Sequence, residues 1–199
     1  MTLVFYGTGA AFTYRNNQPG IIVKNDQKAG RQASLLMGAT ILASMIGLIL
    51  GAALFLVSPP LAVRAATALL AGVVGIISFL RHSVYYQSDQ ARMGWRQDHV
   101  EFQLEVGYAN LAIGIWGLVA AAGGWILVCG VILSLYATYL FCTLLLHKKE
   151  AHTWEELHIP EYRSRAVRSV ISTGIFVVIL AGFALLAFVQ AGVVPIISP

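Results

Sequence analysis

The stretch that most constrains this chain runs from Val106 to Leu146: 41 residues without a charged side chain, broken only by Gly123-Gly124. The hydrocarbon core of a bilayer takes about 20 helical residues. A run of this length therefore reads as two crossings that fold back at the glycines. The remainder of the 199 residues agrees, because only 11% of the chain is charged against about 25% in an ordinary soluble domain. In lipid every backbone amide must be paired inside the structure, which leaves helices or a closed barrel. A barrel would show segments of about ten alternating residues, whereas the apolar runs here are long and continuous. The expected fold class is all-α, a polytopic membrane helical bundle of about five transmembrane helices.

Residues 1–32 read as a polar amino-terminal arm. They carry Arg15, Lys24, Lys28 and Arg31, the turn-rich run Asn16-Asn17-Gln18-Pro19-Gly20, and no apolar segment long enough for a leader or a span. The bundle is expected over 33–199, with crossings at about 33–57, 61–80, 102–122, 125–146 and 169–194. Gly47 and Gly51 on the first crossing form a small-x-x-x-small pair that admits a close neighbour. Ser58-Pro59-Pro60 ends it, since proline lacks the donor and clashes with the preceding turn. Arg64, the one charge in the second crossing, is expected to snorkel to the headgroups. Polar loops are expected over 83–100, lying on the membrane surface, and over 147–168. Cys129 and Cys142 sit on one helix about 20 Å apart, too far to pair.

Five crossings place the amino terminus and both polar loops on one side. That side holds 12 of the 13 Lys and Arg residues, all but Arg64. Lysine and arginine collect on the cytoplasmic side, so the amino terminus is expected inside and the carboxyl terminus outside a prokaryotic cell membrane. The formal net charge of +4 follows from this bias and gives no reason to expect nucleic acid as a partner.

The same topology gathers side chains of metal-ligand type. His82 leaves the second helix, Glu101 and Glu105 enter the third at i, i+4, and His147 and His152 follow the fourth. His147 and Glu150 share the i, i+3 spacing that lets two ligands meet one ion in carboxylate-bridged bundles, in reversed order. Carboxylate with imidazole would suit iron, manganese or zinc. His82 and His147 would serve a bis-histidine haem b if they faced one another. The competing reading is that helix ends at an interface collect such residues without any ligand. Glu105 and Asn110 lie deeper, where ionisable and polar groups tend to face the bundle interior and mark an ion or substrate path. The structural alternative pairs Glu105 with an arginine such as Arg81 or Arg168 and gives Asn110 an interhelical hydrogen bond.

The segment Phe102-Gln103-Leu104-Glu105-Val106-Gly107-Tyr108-Ala109-Asn110-Leu111 resembles one found in small uncharacterised prokaryotic membrane proteins of four or five helices. That resemblance implies a membrane bundle and no particular activity. His152 to Arg163 is similar to the carboxyl-terminal region of isoprenylcysteine-type membrane methyltransferases. The glycine-histidine-proline stretch that would serve the methyl donor is missing upstream, so that activity is not carried over. There is also no phosphate-binding loop, Cys-x-x-Cys pair, His-Glu-x-x-His or nucleophile elbow.

The function expected from sequence is a scaffold or accessory subunit, held in the lipid bilayer as a homo-oligomer or part of a larger membrane complex. The alternatives are a metal-dependent or redox enzyme at the cytoplasmic mouth, and a small proton-coupled transporter using Glu105.

Overall fold

The return at the glycines is a single left-handed residue. Gly124 has φ 69° and closes the preceding helix, and the Trp125 amide reaches back to the Ala120 carbonyl at 3.1 Å. Glycine takes this conformation without the Cβ penalty that other residues meet. The computed structural model describes residues 29–93, 100–156 and 158–194, and among these there is no strand. Most of the expected polar arm, the middle of the first polar loop with Trp95, Arg96, Asp98 and His99, and Pro195 lie outside the described residues.

Among the described residues six helices follow in order: α1 (Arg31–Phe55), α2 (Pro59–Val84), α3 (Tyr86–Met93), α4 (Glu101–Gly123), α5 (Ile126–Glu156) and α6 (Pro160–Gln190). Five of them, all but α3, are long and apolar enough to cross a membrane. The prolines after α1 do more than end it. Pro59 and Pro60 occupy the first two positions of α2, where the missing amide hydrogen costs nothing.

α2 is the central helix. Half of its most apolar stretch is buried, against 11% for α1 on the periphery. Its ladder loosens to π geometry over Thr67–Val73 and Leu80–Val84. The first of these stretches contributes Gly72 to the contact with α4. There the two backbones nearly touch: a Cβ added at Gly75 would lie 2.8 Å from the Asn110 carbonyl oxygen, and one at Gly114 would lie 2.9 Å from the Ile76 nitrogen. Close packing of this kind is what joins helices where lipid removes the hydrophobic force between them. The glycines of α1 serve the same end inside the chain. Gly47 takes Leu69 and Leu70 of α2, and Gly51 takes the Phe183 ring of α6.

One expectation is corrected. The segment 147–168 is not a polar loop. α5 continues through Glu156, α6 begins at Pro160, and the turn between them centres on His158 at φ 56°. Arg64 finds partners at the end of α4, beside Gly124. Its Nε donates to the Ala121 carbonyl at 2.8 Å and its Nη2 to Ala122 at 3.3 Å. It thus caps the negative end of the α4 dipole. Cys129 is buried and Cys142 exposed, both as free thiols.

Candidate functional site

The end of the bundle that carries the basic residues is built on α3, which is a helix where a surface loop was expected. It is clamped on three sides. Ser88 Oγ donates to the Ala29 carbonyl and accepts from the Ala33 amide at 3.0 Å, which ties it to the start of α1. Gln90 Nε2 donates to Gln103 Oε1 of α4 at 2.9 Å. Arg165 of α6 donates to the Arg92 carbonyl. Ser88, Asp89 and Met93 form its buried face.

Asp89 has no exposed surface and meets three basic side chains. Arg81 Nε lies 3.6 Å from its Oδ1, Arg92 Nε 3.4 Å from the same oxygen, and His82 Nδ1 2.9 Å from Oδ2. At 3.6 Å the Arg81 Nε contact is an ion pair too long for a hydrogen bond, while the His82 contact is short but not aligned as one. Arg81 Nη2 is 2.8 Å from His82 Nε2. A guanidinium only donates, so Nε2 accepts and the ring proton sits on Nδ1, facing Asp89. Burial pushes the Asp89 carboxyl up, but Arg81, the pairing with His82, and Arg92 together outweigh it and hold the carboxyl at about 2. Burial draws Arg92 below its ordinary value, opposed by Asp89. A carboxylate this stabilised is a poor base. Its work is electrostatic: it binds the end of α2 to α3.

The five candidate metal ligands do not converge. His82 has both nitrogens engaged within the Asp89 cluster, so neither is offered to a metal or a haem iron. Glu101 and Glu105 lie on the exposed face of α4, whose buried face is Gln103, Gly107, Asn110 and Gly114. His147 pairs with Glu150 at 3.1 Å and His152 with Glu156 at 3.4 Å, both along α5. Among the described residues no three His, Cys, Asp or Glu side chains gather where a metal ion could be held.

Glu105 and Asn110 part company as well. Asn110 is buried, with Nδ2 donating to the Val106 carbonyl at 2.8 Å and to Tyr139 Oη at 3.3 Å, while its Oδ1 accepts from Tyr136 Oη at 3.3 Å. This is the interhelical hydrogen-bonding role, joining α4 to α5. Arg81, offered above as a partner for Glu105, goes to Asp89 instead. Sequence reasoning missed Asp89 and the tyrosine pair. The available signals were the i, i+3 spacings of Asp89 with Arg92 and of Tyr136 with Tyr139.

One further feature lies at this end: a groove of about 440 Å³ between α1 and α6, with Arg92, Arg165 and Arg168 at its polar side and Met37, Ile41 and Ile175 along its apolar side.

Residues 34–192 match the model of a family of unknown function, DUF6790. The chain belongs to that family. The match covers four of the five span-length helices in full and α1 from residue 34. DUF6790 membership agrees with the resemblance read around 102–111, since neither brings an activity with it. No curated protein and no solved structure matches the chain.

Proposed function

We propose that the protein is a non-catalytic scaffold or accessory subunit of a membrane complex, set in a prokaryotic cytoplasmic membrane with its basic end inside. The observation that carries this reading is the hairpin formed by the far ends of α5 and α6. α5 has 31 residues, about 46 Å at 1.5 Å per residue, against a hydrocarbon core of about 30 Å. The part after Leu146 therefore stands in water as a helix. Its tip is braced by Trp154 against Tyr162, ring centroids 5.0 Å apart, and by Arg163 on Glu155 at 3.0 Å. Lys148, Lys149, His152, Glu155, Glu156 and Arg163 are exposed along it. A braced, charge-studded projection beyond the apolar spans suits a contact surface. Charged rims fix which partner docks and in what register.

A photo-crosslinking residue in place of Lys149 tests the reading in living cells. A discrete adduct, identified by mass and lost when Lys148→Glu and Arg163→Glu are combined, is the expected result; an adduct with a second copy of the chain would make the complex a homo-oligomer. Monomer alone at every hairpin position would overturn it. The carrier reading asks for Glu105 inside the bundle, and Glu105 is on the exposed face of α4.

A further inference from the structure

The groove between α1 and α6 holds more positive charge than the described residues answer. Four arginines, Arg81, Arg92, Arg165 and Arg168, meet at this corner with two acids, Asp89 and Glu161, which leaves two cations in excess among the described residues. Arg165 is tied down by Glu161 and by the Arg92 carbonyl. Arg168 is exposed, and its guanidinium has no side-chain partner among the described residues. The other wall is of opposite character. Met37 and Ile41 belong to the span of α1 and Ile175 to that of α6, so the apolar side opens on the acyl region while the arginines stand at headgroup depth.

We propose that this groove binds one anionic phospholipid. Its phosphate sits between Arg168 and Arg165, and an acyl chain runs along Met37, Ile41 and Ile175. Guanidinium groups match phosphate oxygens in bidentate fashion, and basic pockets between transmembrane helices on the cytoplasmic side are the usual anionic-lipid sites. The volume of about 440 Å³ lies within the range that holds small ligands. A soluble anion would leave the apolar wall without a role, and a protein partner would have to enter the membrane to use it. The inference needs the spans to cross a membrane, but not the hairpin to have a partner.

Native mass spectrometry on the full chain in mild detergent tests it, with phosphatidylglycerol and phosphatidylcholine of identical chains as probes. The expected result is one retained phosphatidylglycerol, favoured about tenfold over phosphatidylcholine. Arg168→Ala should lower that retention about fivefold. Ile175→Trp, which fills the groove without changing charge, should lower it as well, while Arg163→Ala on the hairpin should not. Circular dichroism establishes that each variant is folded. Equal retention of the two lipids, indifference to both Arg168→Ala and Ile175→Trp, or binding of glycerol-3-phosphate as tight as that of the lipid would each overturn the proposal.

Discussion

Asp89 is an acid held between two guanidinium groups and a neutral imidazole, and its removal has a sign that can be worked out. Asp89→Asn leaves Arg81 and Arg92 without their counter-charge in a buried corner. A broken buried pair typically costs a few kcal/mol, so a loss of roughly 3 kcal/mol is expected in thermal or denaturant unfolding in detergent. The pH dependence follows from the lowered carboxyl. With a folded value of about 2 against an ordinary 3.8, its contribution is fully present above pH 4 and lost as pH falls toward 2. The amount is about 2 kcal/mol. Unfolding midpoints measured across that window should fall in the wild type, and by that much less in Asp89→Asn. At this scale the sequence was a partial guide. It showed that Glu105 lies near the membrane boundary, because depth follows from hydropathy. It could not show that Glu105 points outward, because the apolar residues around α4 look alike from every side when lipid and core are equally apolar. Asp89 was hidden for a related reason: spacing points to Arg92 alone, while Arg81 and His82 come from α2, and pairing between helices is a property of contact.

Helices in this protein end for reasons unrelated to the membrane. Hydropathy placed the fourth crossing at 125–146 and the fifth at 169–194, yet α5 runs through Glu156 and α6 starts at Pro160. Lys, Glu and Arg are good helix formers, so a change from apolar to charged marks where lipid stops and says nothing of where the backbone ladder stops. The Gly123-Gly124 return was legible because it rests on conformation rather than polarity. Two variants test the element scale. Gly75→Val must push the α4 backbone away at Asn110, and a loss of about 2 kcal/mol or more is expected. Gly182→Val, with nothing within 4 Å of an added Cβ, should show far less. Arg64→Ala uncaps α4 and should lower stability by about 1 kcal/mol. A neutral result for Gly75→Val would mean that α2 and α4 are not in backbone contact.

For the molecule as a whole, five span-length helices with a basic end set the frame on which the hairpin and groove proposals stand. If the helices cross and the positive charge lies inside, the α5–α6 hairpin faces the cytoplasm and Arg168 faces the inner leaflet. Labelling of single cysteines decides this directly. In a background with Cys129→Ser and Cys142→Ser, Lys149→Cys and Val193→Cys are treated with a membrane-impermeant maleimide in right-side-out and in inverted vesicles. The predicted result is that the cysteine at 149 reacts only in inverted vesicles and the one at 193 only in right-side-out ones. Reaction of both in the same preparation, or the reverse pattern, would contradict it.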